Sequence, residues 1–511
     1  LGTTSGPELL IELDRKRPQP LHRQLADRLR DAVRSGRLAP GTRMPSTRAL
    51  AADLGVSRRL VVDTYGQLVA EGFLVSRHGS GTRVAQVDAV RLPPPPDAAP
   101  PPRYEFDFTP GTPDLAAFPR DTWLRALRQG LTEAPSESFG YAAPQGLATT
   151  RTALSDYLRR TRGVQADPEH IVLCSGVTQG VGLIAQLLRR RGTLPLAMEE
   201  PCFWLHRMVV RHNGIDPVGV RVDDDGLDVA ALERSEAKAV LTTPAHQSPT
   251  GVVLAPARRA ALLDWARAGN LVIEDDYDAE YRYDRAPVGA LQSLAPDRVI
   301  YLGSASKTLA PGLRLGWMVL PADLVGAAIR LKGLADAGSS AMDQIALAAL
   351  LTSGGYDRHL RQMRKRYVRR RNALLQALAR HLPHAQVLGA AAGVQLTVRF
   401  PDGYPVDDLV RRAAALGVRV EPLAPCYAET STAPAGLILG YANLTESQIV
   451  AGVQALSRAS ASSTQSDQGV PSSKCAPPPP PSALEATRSG SRVASSFSVD
   501  ASASASLNCG R

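Results

Sequence analysis

Lys307 ends a short hydroxyl-rich turn, Ser304-Ala305-Ser306-Lys307, and Arg314 follows in Pro311-Gly312-x-Arg314-x-Gly316. A primary amine flanked by hydroxyls, with a guanidinium close by, suits a Schiff base formed beside a phosphate. Upstream, Asp275-Asp276-Tyr277 closes an apolar run that begins at Leu271. Side chains of an extended segment alternate, so Asp275 and Tyr277 are expected on one face and Asp276 on the other. A third segment, Ser175-Gly176-Val177-Thr178-Gln179-Gly180, joins the apolar run Ile171 to Cys174 to a helical pattern reaching about Arg190. The free amides at such a helix start form a natural anion seat, although most strand-to-helix turns bind nothing by themselves.

These segments need a scaffold that brings them together. From Tyr104 to about Ser457 short β-rich runs alternate with helical patterns. That order predicts βαβ units around a mainly parallel sheet with helices on both faces, and such sheets place ligands at the carboxyl ends of their strands. Seven prolines, Pro93 to Pro96 and Pro100 to Pro102, mark residues 87–103 as an extended linker. Residues 458–511 are rich in Ser, Ala and Pro and hold too few large apolar side chains to offset the entropy of ordering, which predicts disorder.

Across the 511 residues 44% are apolar and 21% charged, which excludes wholesale disorder. No apolar stretch approaches the roughly 18 residues of a spanning helix, and the polar start lacks the order of a signal peptide, so a cytoplasmic location is expected. The five cysteines have no CxxC spacing and the nine histidines no HExxH, which argues against structural metal and a disulfide framework. Net charge is +10, and residues 1–86 hold 14 Lys or Arg against 8 Asp or Glu. That local excess suits a polyanionic partner, and equally a solvated basic surface.

Within residues 1–86 the pattern is more specific. Leu21, Leu25, Leu29 and Val33 predict an amphipathic helix over 22–34, stopped by Ser35-Gly36. Ser46 is placed to cap a second helix ending near Leu54-Gly55, and Ser57 a third. In the third, Val61, Tyr65, Leu68 and Val69 form a buried stripe, with Arg58 and Arg59 on the other side. Phe73-Leu74-Val75 and Thr82-Arg83-Val84 then pair as a wing around Gly79-Ser80-Gly81. Leu38-x-Pro40-Gly41-x-Arg43-Met44-Pro45-Ser46-x-Arg48, Leu54-Gly55-Val56-Ser57-Arg58 and Gly79-Ser80-Gly81-Thr82 resemble the winged helix-turn-helix of GntR-type transcription regulators. The resemblance implies that Arg43, Arg48, Ser57, Arg58, Arg59 and Gly79 face double-stranded operator DNA. Arginine forks suit phosphates and the O6 and N7 acceptors of guanine. Pairing with Asp53 or Asp63 is the structural alternative for these arginines. Leu60 and Arg59 stand where that family often has Thr and Asn, which leaves the operator sequence open.

Residues 104–455 resemble the fold-type I enzymes that use pyridoxal 5′-phosphate (PLP), aspartate aminotransferase among them, with a mainly parallel sheet and a small C-terminal α/β subdomain. The resemblance implies that Lys307 forms the Schiff base, Asp275 holds the pyridine nitrogen and Tyr277 the ring hydroxyl. Val177, Thr178, Ser304, Ser306 and Arg314 would surround the phosphate, Phe203 would stack on the ring, and Tyr141 would reach the phosphate from a partner subunit of a homodimer. Phe203 and Tyr277 are also consistent with a place in the core. Ile438, in Gly436 to Ala442, stands where these enzymes carry the arginine that grips the substrate carboxylate. Ser248, in His246-Gln247-Ser248-Pro249-Thr250-Gly251, replaces an Asn that contacts the ring. The resemblance thus implies that cofactor binding is preserved and amino-acid turnover impaired.

A GntR-type head, a linker and an aminotransferase-like body together resemble the MocR subfamily of bacterial regulators, to which the His-Gln-x-Pro-Thr-Gly and Glu-Asp-Asp-Tyr-Asp (Glu274 to Asp278) motifs also belong. That implies a regulator sensing PLP or a PLP-amine adduct; the alternative is an active aminotransferase with a vestigial head. The basic run Arg358 to Arg371 reads as a solvated helix face, because Met363, Tyr367 and Leu374 interleave it at helical spacing.

Overall fold

The structure is a computed structural model that describes residues 11–77, 81–86, 103–141, 143–284 and 288–461. The chain divides into two compact units between Pro102 and Arg103. The linker prolines, the wing-tip Gly79 and the chain beyond Ala461 lie outside the described residues.

The first unit is three helices, Leu21–Arg34, Thr47–Leu54 and Arg58–Ala70, followed by the antiparallel strands Leu74–Arg77 and Gly81–Val84. The Ser46 hydroxyl accepts from the Ala49 amide at 3.1 Å and the Ser57 hydroxyl from Leu60 at 3.2 Å, so both helices start where their caps fix them. Leu25, Leu29, Leu50, Val61, Tyr65, Leu68 and Leu74 form one core. Tyr65 is buried, with its hydroxyl donating to the Pro45 carbonyl at 3.1 Å. Val69 departs from the expected stripe: it is 36% exposed because the core closes around Leu68, one position earlier on the helix. A bidentate pair, Arg30 to Glu71 with both bonds at 2.7 Å, ties the first helix to the end of the third.

In the second unit eight strands form one sheet, in the order Ile171–Cys174, Gly316–Val319, Val299–Ser304, Leu271–Asp275, Ala239–Thr242, Leu196–Glu200, Val218–Asp223 and Gly226–Leu227. Its five central strands, from Val299–Ser304 to Val218–Asp223, pair in parallel. Gly316–Val319 runs antiparallel to both of its neighbours. Ala239–Thr242, Leu271–Asp275 and Val299–Ser304 are buried at every residue, as a sheet covered on both faces requires. A smaller antiparallel sheet, in the order Gln386–Leu388, Gln395–Arg399, Gly436–Gly440, Glu421–Pro422, packs with the helix Glu446–Ala461. That helix carries ordered chain past Ser457, where the change of composition was expected to end the domain.

The basic run lies on the long helix Gly355–His381, which buries Met363, Tyr367 and Leu374. Several of its cations act inside this unit: Arg366 and Arg370 both pair with Asp114, and Arg369 with Glu446.

Candidate functional site

The head presents its cations to solvent. Arg43, Arg48, Arg58 and Arg59 are all exposed. Among the described residues Arg43, Arg48 and Arg58 form no ion pair, whereas Arg59 lies 3.8 Å from Asp63. The Arg43 guanidinium folds over the base of the wing, close enough that a Cβ at Gly81 would meet its Nε at 3.5 Å.

The body holds a cavity of about 320 Å³ at the carboxyl ends of the parallel strands, within the range of small-molecule sites. Val177, Thr178, Phe203, Asp275, Tyr277, Ser304, Ser306, Lys307 and Arg314 all line it. Tyr141, expected to act from a partner subunit, does not line the cavity of its own chain, where its side chain is fully exposed.

Strand alternation sorts the acidic cluster as expected. Asp276 turns away and accepts from the Arg162 guanidinium and the Tyr301 hydroxyl, both at 2.7 Å. Asp275 faces the cavity, buried, and among the described residues its Oδ1 has no hydrogen-bond partner. Burial, reinforced by Asp276 and Asp278, pushes its carboxyl up to about 8. The Lys307 amine donates to the Gly111 carbonyl at 2.7 Å, and burial lowers its affinity for a proton despite Asp278 and Asp275. Gly111 has a φ of +72°, and a Cβ there would stand 2.5 Å from the Lys307 Nζ, so glycine is what leaves the lysine its room.

The anion seat is also built. Gly176, at φ 81°, starts the helix Val177–Arg191, and no side chain caps it. Arg314 donates to the Ser175 carbonyl at 2.5 Å and holds its guanidinium against Gly176. To do so Arg314 adopts a left-handed φ of 53°, a conformation that costs a non-glycine residue about 1 kcal/mol or more. The hydrogen bond to Ser175, made despite that strain, keeps a cation at the helix start.

The His246 motif supports the cavity floor. Its Nδ1 lies 2.9 Å from the Tyr277 hydroxyl and 3.0 Å from Asp278, while Gln247 bonds Glu199 and the Pro201 carbonyl. Glu199 is buried and accepts from Thr242 and Thr243, which fixes the turn carrying Ser248 and Pro249 to the cavity wall.

Comparison with known proteins gives these two units names. Residues 21–84 match the gntR family of bacterial regulatory proteins, and residues 107–467 match aminotransferase class I and II. A probable rhizopine catabolism regulatory protein, MocR, of Rhizobium meliloti is 34% identical over 472 residues, covering 88% of this chain and 95% of that protein. The chain belongs to the MocR subfamily of GntR-type transcription regulators. The pyridoxine biosynthesis regulator PdxR of Corynebacterium glutamicum is 32% identical to this MocR-type protein, covering 86% of it and 96% of PdxR. Among solved structures, an archaeal alanine:glyoxylate aminotransferase superposes with a TM-score of 0.65 at 25% identity, covering 70% of this chain and 91% of the other. The regulator's body is therefore an aminotransferase fold of the kind that binds PLP. The residues present fit that cofactor: an unpartnered buried carboxylate oxygen, a desolvated lysine and an uncapped helix start converge on one cavity.

Some lining residues of the MocR-type cavity escaped the sequence reading. His206 stands one helical turn beyond Phe203, with the two rings edge-on at 5.1 Å and His206 Nδ1 3.7 Å from Asp275. Burial, and then Lys307, lowers His206 to about 4, so its ring is neutral at physiological pH. The i, i+3 spacing from Phe203 was the signal that could have found it. Gly111, Gln395, Glu421 and Cys426 also line the cavity, and nothing local marks them.

Proposed function

We propose that this regulator senses occupancy of its cavity by PLP, or by PLP joined to a small amine, and couples that occupancy to operator binding in the cytoplasm. Bound PLP supplies an aldehyde open to primary amines. Lys307, desolvated and therefore readily uncharged, is the amine that faces it. Asp275 would hold the pyridine nitrogen, whose positive charge when protonated would favour the ionised carboxylate. Tyr277 holds the ring hydroxyl, and Phe203 covers one face of the ring.

Val177, Thr178, Ser304, Ser306 and Arg314 take the phosphate, with Tyr141 added from the second subunit of a homodimer. Arg314 is the one arginine among the described residues lining the cavity, and its place is at the helix start. With Ile438 in place of a carboxylate-gripping arginine, no further cation lines the cavity among the described residues to hold an amino acid for turnover. This supports a sensor over an enzyme. On the head, Arg43, Arg48, Ser57, Arg58 and Arg59 contact DNA, with Gly79 at the wing.

The unpartnered Asp275 oxygen opposite a desolvated lysine is the observation that carries this reading. Lys307→Ala should abolish the visible absorbance that PLP gives the wild-type protein. An unchanged spectrum overturns the assignment.

A further inference from the structure

The charges in the cavity do not balance once PLP is placed there, and the group left over is Glu421. Its cavity-lining carboxylates are Asp275 and Glu421, and its lining cations are Lys307 and Arg314, His206 being neutral. On the reading above, the pyridine nitrogen takes Asp275, the phosphate takes Arg314 and the helix amides, and Lys307 meets the aldehyde. Glu421 has no counterpart in the cofactor.

Its position is fixed by the small sheet. Glu421 is the direct cross-strand partner of Ile438, and Ile438 is the partner of Thr397. Directly paired residues share a sheet face, so Glu421 projects beside the residue that stands where the enzymes carry their carboxylate-binding arginine. Two residues along from Thr397 is Gln395, whose Oε1 lies near Lys307 across Gly111. Two strand spacings and one two-residue step separate Glu421 from Gln395, roughly 12 Å between Cα atoms.

The Glu421 carboxylate accepts no hydrogen bond among the described residues. Its nearest cation is Arg419, 4.0 Å away, and that guanidinium also lies 3.9 Å from Asp107. Burial raises the Glu421 carboxyl above the usual range, with Arg419 opposing the shift and Asp107 adding to it.

We infer that Glu421 is the effector-selecting residue and that the effector is a short linear diamine, one amine directed at Lys307 and the other held as an ammonium by Glu421. This rests on the PLP reading and narrows it: a carboxylate or sulfonate at the far end of the ligand meets Glu421 as a like charge.

The test titrates the full-length, PLP-loaded protein with putrescine, butylamine and γ-aminobutyrate, following heat and visible absorbance. Putrescine should bind at least tenfold more tightly than butylamine, and γ-aminobutyrate more weakly than both. Glu421→Gln should erase the putrescine advantage while Glu421→Asp keeps part of it. Ile438→Arg should reverse the order in favour of γ-aminobutyrate. Equal wild-type affinities for putrescine and butylamine, or an advantage that survives Glu421→Gln, would overturn the inference and leave PLP sensing standing. A wild-type protein with no PLP absorbance would remove both.

Discussion

The head and the cavity use charge in opposite ways. On the head, Arg43, Arg48 and Arg58 are exposed and form no ion pair among the described residues, so a phosphate can be met without breaking one. In the cavity, Asp275 is buried and Lys307 half-buried, and each is pushed toward its neutral form. An exposed cation gains only what DNA supplies. A buried acid that lacks its partner destabilises the empty protein, so ligand binding there is linked to folding as well as to signalling.

Three perturbations sharpen that contrast. The largest effect is expected from Arg48→Ala combined with Arg58→Ala, because each lost base or phosphate contact costs about 1–3 kcal/mol. Operator affinity should fall about 100-fold in a gel-shift or anisotropy titration, with the PLP spectrum unchanged. Retained affinity would remove these arginines from the DNA surface.

Asp275→Asn comes next and moves two readouts in opposite directions. Because the folded carboxyl sits near 8 rather than 3.8, the empty protein holds a proton that the unfolded chain has released, and its stability falls as pH rises across that window. The amide removes this loss, so the PLP-free variant should melt higher than wild type at pH 8. Its PLP affinity should fall at least tenfold for want of a partner to the ring nitrogen. A variant that binds PLP like wild type would break the comparison.

The smallest effect belongs to the Arg30–Glu71 pair on the head. Hydrogen bonds from Arg30 hold Glu71 down at about 2, so its contribution is complete above about 4.5 and is lost as pH falls toward 2. Glu71→Gln should flatten the acid limb of the head's thermal unfolding by a few degrees at most, since the pair is partly exposed.

What was legible in the sequence follows the same division. The head is specified by neighbours: Ser46 and Ser57 cap the helices they precede, and the apolar stripe is one helix long. Even there Val69 was misplaced, because periodicity says which face is buried and not how wide the buried stripe is. In the body, period-two alternation separated Asp275 from Asp276, and the strand-turn-helix at Gly176 marked the anion seat. Gln395 and Glu421 carry no such mark, since chain crossovers bring them to the cavity, and His206 was marked only by its i, i+3 spacing from Phe203. Tyr141 belongs to neither class: its side chain is exposed in this chain.

The account stands on coupling between the two regions, and the direct measurement is operator affinity of the full-length protein, stripped of PLP and then saturated with it, on DNA upstream of its own gene. The account predicts a change of at least fivefold, with operator DNA shifting PLP affinity by the same factor, as linkage requires. Identical operator affinities in the two states would contradict it.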